Sequence, residues 1–109
     1  MTQILYTNNI HGFSLSAEGH ADYGEHGKDI VCAGISTLTS LLLNAGLKAN
    51  RKGFIRRFQY TAAAGNIHIS WRYSKLYSLY DTVELVLDGL KEIAEQYPEN
   101  VQITKISGV

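Results

Sequence analysis

The 109-residue sequence has one cysteine, one proline and one tryptophan, and its ten lysines and arginines match its ten aspartates and glutamates. A lone cysteine excludes an internal disulfide, so nothing here asks for an oxidising compartment, and the expected address is the cytoplasm. The balance of charge gives no global field to draw the chain onto nucleic acid or an anionic membrane, so neither is expected as a direct partner. The start, Met1-Thr2-Gln3-Ile4-Leu5-Tyr6-Thr7, lacks the basic residues and apolar core of a signal peptide, and no apolar run reads as long enough to cross a bilayer. What remains is a chain of one-domain length with an ordinary apolar fraction, enough for a single core.

Patterning supplies the elements. Residues 3–7 favour a short strand, and Asn8, Asn9 and Gly12 are turn formers. From Phe13 the alternation is clean, with Phe13, Leu15 and Ala17 on one face and Ser14, Ser16 and Glu18 on the other, so a second strand hairpins with the first. Asp29 is a good N-cap for a helix from Ile30 to about Lys48, whose stripe of Val31, Ile35, Leu38 and Leu42 faces the core. Gly34 in that helix reads as a close approach of another backbone, and Gly46 as fraying. A second strand pair follows, turned at Ala64-Gly65-Asn66, with Phe58, Tyr60 and Ala62 alternating against Arg57, Gln59 and Thr61. The spacing of Val83, Val86, Leu87, Leu90, Ala94 and Tyr97 predicts a helix from Leu79 to Gln96, stopped by Pro98, before a last strand at Val101 and Ile103. The order ββαββαβ predicts a single α+β domain over residues 1–109, an antiparallel or mixed sheet with two helices packed on it.

The chemistry concentrates in residues 19–36. The only cysteine, Cys32, falls in the first turn of the predicted helix and off its core stripe, beside Ser36 one turn on. A thiol there sits at the positive end of the helix dipole, and a base within reach would complete the minimal apparatus for nucleophilic catalysis. His20, twelve residues upstream at the end of a strand, is the candidate base; its strand phase places it on the polar face. Asp22 or Glu25 would be the group to orient it. Between them, residues 21–28 contain Gly24 and Gly27 and only Ala21 and Tyr23 to pack, so they read as a mobile, substrate-gating loop. The bland reading of a lone cysteine is a small buried hydrophobe, but a buried filler needs no cap and no glycine-rich loop before it. A metal site from His20, His26 and Cys32 does not fit, because spacings of six and six are unlike the tight pairs of zinc sites. A phosphate cradle at Gly24–Lys28 lacks the Gly-Lys-Ser/Thr ending and carries acidic residues. No metal and no cofactor are expected.

The run Gly19-His20-Ala21-Asp22, a short glycine-containing loop, then Asp29-Ile30-Val31-Cys32-Ala33-Gly34-Ile35-Ser36, resembles the signature of the ribosomal-processing cysteine proteases, the Prp family. The resemblance implies a Cys32 nucleophile and a His20 base, with Gly19, Asp29 and Ser36 in support. It also implies a homodimer that removes the N-terminal extension of the twenty-seventh large-subunit ribosomal protein. Backbone N–H groups near the helix start are the expected oxyanion donors. The rival readings are a non-enzymatic ribosome-associated binding module and a thiol redox sensor. The basic cluster at Arg51, Lys52, Arg56 and Arg57 reads as a solvated edge, with guidance toward ribosomal RNA or an acidic partner as its alternative use.

Overall fold

The computed structural model describes residues 1–74 and 79–107. The expected order holds: β1 (Thr2–Asn8), β2 (Gly12–Glu18), α1 (Ile30–Arg51), β3 (Ile55–Ala63), β4 (Asn66–Tyr73), α2 (Tyr80–Gln96) and β5 (Val101–Lys105). The strands form one sheet in the order β3-β4-β2-β1-β5. Every pairing is antiparallel except β1 with β5, which is parallel, so the sheet is mixed.

The period-two pattern decides which face is covered. Ile4, Phe13, Leu15, Ile69 and Trp71 are buried together under the helices, while the pairs Ser14↔Ser70 and Ser16↔His68 align on the opposite face. α1 buries Val31, Ile35, Thr39, Leu42, Gly46 and Ala49. Thr39 is accepted there because its hydroxyl donates to the carbonyl of Ile35 at 2.9 Å. α2 buries Val83, Leu87 and Leu90. Its first turn has no side-chain cap, and Asn8 supplies an anchor instead. Asn8 Nδ2 donates to Glu84 Oε2 at 3.0 Å, and Asn8 Oδ1 accepts the hydroxyl of Tyr73, a phenol that burial holds well above its ordinary pKa.

Four local readings change. By length and composition α1 is apolar enough to cross a membrane, contrary to the sequence reading; in the fold its apolar stripe packs on the sheet and against α2. Gly46 does not fray: it is buried in mid-helix, where a Cβ would come within 2.7 Å of the Phe58 ring and 2.8 Å of the Trp71 ring. Gly34 faces not a backbone but the Ile93 side chain of α2, at 3.1 Å from an added Cβ. In β3 the register slips between Arg56 and Gln59, and Arg57 takes φ 54, so a bulge interrupts the expected alternation. The Gly46 contact has a measurable consequence. Gly46→Ala should destabilise by about 1–3 kcal/mol through overpacking of two wedged rings. That outweighs the roughly 1 kcal/mol alanine gains in helix propensity. Urea unfolding with an unchanged or higher midpoint would show that the rings yield freely.

Candidate active site

Asp29 organises the start of α1. Its Oδ1 accepts the N–H groups of Val31 at 3.0 Å and Cys32 at 2.9 Å, which is the expected cap. Its Oδ2 reaches backwards and accepts the N–H groups of Tyr23 at 2.9 Å and Gly24 at 3.2 Å. One carboxylate thus ties the helix start to the loop that precedes it. The Cys32 N–H is the main cause that holds the Asp29 carboxyl below its ordinary value; partial burial opposes it, and the Tyr23 and Gly24 N–H groups add to the lowering.

A carboxyl lowered in the folded state stabilises the fold above its unfolded value of 3.8 and loses that contribution as pH falls below 3.8 through the folded pKa. Asp29→Asn should therefore lower the thermal midpoint by several degrees at neutral pH, with the gap to wild type closing at the acid end. A gap that stays constant down to acid pH would remove the carboxylate from this role.

The cap also changes the expected oxyanion chemistry. Val31 and Cys32 N–H groups are committed to Asp29 Oδ1, and the Ala33 N–H donates to the Asp29 carbonyl at 3.0 Å. The helix start is not the open set of donors that the sequence reading assumed. The donor aimed at the thiol is the Ala21 N–H, 3.3 Å from Cys32 Sγ. Ala21 itself is buried, and its carbonyl accepts from Asn100 Nδ2 at 2.9 Å, so this donor is fixed from behind.

His20 reaches the site because Gly19 breaks the strand period. Gly19 has φ 91, and a continued alternation would have put His20 on the outer sheet face with Ser16 and Glu18. Instead His20 and Cys32 line the same cavity, about 780 Å³, between α1, the 21–28 loop and the β3–β4 turn. The imidazole rests against Gly65, where an added Cβ would come within 2.7 Å of His20 Nε2. Among the described residues no hydrogen bond joins imidazole to thiol.

Gly19, Asp29 and Ser36 all line this cavity, as do Asp22, Gly24 and Gly27 of the loop. Tyr23 does not; its ring packs edge-on to Tyr97 with centroids 5.1 Å apart. The loop is irregular, but the expectation that it has little to pack against is corrected at Ala21 and Tyr23. Among the described residues neither carboxylate considered for orienting His20 forms an ion pair with it. Asp22 pairs with the Met1 amino group at 3.2 Å, and Glu25 with Lys28 at 4.0 Å. His68 Nδ1 contacts the Leu15 carbonyl at 3.2 Å on the other sheet face. Among the described residues no three His, Cys, Asp or Glu side chains converge as a metal site.

Sequence reasoning passed over two parts of this site. Gly65 read only as a turn former; its being glycine was the available signal, and the structure gives it a left-handed φ of 72 against the His20 ring. The Ala21 N–H had no signal at all, since a backbone donor is placed by the fold and not by residue type.

With this geometry in view, residues 1–102 match the family described as cysteine protease Prp. The chain belongs to that family. It is similar to the ribosomal processing cysteine protease Prp of Staphylococcus aureus, 34% identical over 88 residues covering 79% of each chain. It is also similar to the protein of that name from Bacillus subtilis, 26% identical over 95 residues covering 84% of this chain and 83% of the other. Among solved structures it resembles the Staphylococcus aureus Prp bearing a covalently linked product peptide. The TM-score is 0.72 at 28% identity, over 97% of this chain and all of the other. As a Prp this protein is a cysteine protease, a hydrolase of peptide bonds, and its α+β architecture is that of the solved Prp structures. Family membership sets the non-enzymatic binding module aside.

Proposed function

We propose that this Prp removes the N-terminal extension of the twenty-seventh large-subunit ribosomal protein, with Cys32 as nucleophile and His20 as base. The observation that carries the residue assignment is the shared cavity. The only thiol and an exposed imidazole line it, and a peptide has room to lie between α1 and the β3–β4 turn. His20 takes the thiol proton, and Cys32 Sγ attacks the scissile carbonyl carbon to form a tetrahedral adduct. The C–N bond then breaks, the amine leaves with the proton from His20, and water hydrolyses the thioester. Because the helix-start donors are engaged by Asp29, the Ala21 N–H is the fixed donor for the thiolate and then for the oxyanion. Substrate brings imidazole and thiol into contact, as happens in many sites that are loose when empty.

Asp29 gives the loop its part. Its bonds to Tyr23 and Gly24 couple the position of residues 21–28 to the start of α1, so a peptide that orders the loop also orders the nucleophile's helix turn. We place the reaction in the cytoplasm, where the thiol stays reduced, with a homodimer as the working assembly. The test is incubation of the reduced enzyme with the N-terminally extended ribosomal protein, read by intact-mass spectrometry. A mass loss equal to the extension is expected. An extension left intact removes the substrate assignment, while turnover of other peptides would keep the protease.

A further inference from the structure

The sheet face turned away from the helices carries a second concave site, of about 260 Å³, over β2, β4 and the bulge of β3. Arg57 and Arg72 line it, with Ser14, Ser70, Gln59 and Asn9 between them, and no aspartate or glutamate takes part. Among the described residues neither of these arginines, nor the neighbouring Arg56, makes an ion pair.

Two features of this patch disfavour the isolated protein and call for an anion. Arg56 and Arg72 sit directly opposite each other in the β3–β4 register, a like-charge cross-strand pair. Arg57 holds φ 54, a left-handed conformation that arginine rarely takes, at a bulge that re-aims its side chain.

The geometry points to the phosphodiester backbone of RNA as the ligand of this site, and we propose that the outer sheet face docks this Prp on RNA. Guanidinium forks match phosphate oxygens two at a time, and serine hydroxyls and side-chain amides are the usual supplementary donors to a nucleic-acid backbone. Asn9 Oδ1 already accepts the N–H groups of His11 at 2.8 Å and Gly12 at 3.2 Å, which leaves Nδ2 as the donor it offers. Arginine anchors protein interfaces too, but in company with aromatic side chains, so a protein partner is the poorer fit where no ring is presented. The aromatic residues lining this site, Phe13 and Trp71, are each 2% exposed, with their rings in the core. Net charge argued against nucleic acid, but net charge is a sum. The acidic residues Asp81, Glu84, Asp88, Glu92 and Glu95 lie on α2, on the helix side of the sheet, and Glu18, on this face, pairs with Asn66 at the end of β2–β4 remote from Arg72.

The site is independent of cleavage. Arg72 is near one end of β4 and Asn66, at the lip of the Cys32 cavity, is at the other, so RNA can be held while that cavity stays open. Fluorescence anisotropy with a labelled single-stranded oligouridine at low salt, on wild type and on Cys32→Ala, tests it. Both are expected to bind. The logarithm of affinity should fall with the logarithm of salt at a slope of about −1.4 to −2, for two or three neutralised phosphates. The double variant Arg57→Gln, Arg72→Gln should weaken binding at least about tenfold and flatten the slope by about 1.4. Should that variant misfold by circular dichroism, Ser70→Glu decides alone: its charge faces the incoming phosphate and should abolish binding. The inference is overturned if wild type does not bind the oligouridine, or if the folded double variant or Ser70→Glu binds it as wild type does. Poly-glutamate captured as tightly as RNA would overturn it too, in favour of an acidic protein partner.

Discussion

Cys32→Ala should lose cleavage of the extended ribosomal protein by at least about 10⁴-fold, since it removes the proposed nucleophile and with it the proposed acyl-enzyme route. The fold should barely notice. The thiol is half-buried, and its bonds, from the Ala21 N–H and to the Asp29 carboxylate, are those of a weak donor and acceptor. A stability change within about 1 kcal/mol is expected for so small a truncation. Substrate should still bind, because the cavity walls on α1, the loop and the β3–β4 turn are untouched. Turnover and equilibrium binding measured on the same preparation separate the two effects. Cleavage near the wild-type rate would show that Cys32 is not the nucleophile. Loss of binding together with cleavage would mean that the side chain shapes the groove and not the chemistry.

Gly19→Ala is the second large effect, and it should damage fold and site together. The residue needs φ 91, and a Cβ there collides with the Met1 carbonyl oxygen, part of the backbone. That backbone is pinned on both sides, because the Gly19 N–H donates to the Gly65 carbonyl at 2.8 Å and the Gly19 carbonyl accepts from Thr2 Oγ1 at 3.2 Å. Left-handed strain and a clash that no rotamer relieves should cost about 2–5 kcal/mol together. In a domain of this size that lowers the thermal midpoint by roughly 10 °C or more. The surviving folded fraction should cleave about a hundredfold more slowly, because His20 follows Gly19 directly and a small misplacement of a base is costly. Gly24→Ala is the control. An added Cβ there meets nothing closer than 3.6 Å, and thermal unfolding should match wild type. Equal midpoints for Gly19→Ala and Gly24→Ala would refute the account of Gly19.

The sequence by itself determined the elements and the family. Alternation at Phe13–Glu18, the Asp29 cap and the α2 stripe are local signals, legible because a strand or helix buries the same side chains wherever it sits. The signature around Cys32 named the family, and the family comparison agrees. The tertiary structure decided what depends on residues distant in sequence. β5 had no marker for pairing parallel to β1, and Gly46 looked like a weak helix position until Phe58 and Trp71 were found against it. Strand phase alone sent His20 to the wrong face, because a single left-handed residue, Gly19, reverses which side follows. The Asp29 cap was read correctly, yet only the folded loop shows the same carboxylate also holding Tyr23 and Gly24. Hydrogen-bond donors are exclusive. Once Asp29 has taken the N–H groups of the helix start, the donor left to the thiol comes from a residue eleven positions away, a matter of three-dimensional placement that no pattern of side chains encodes.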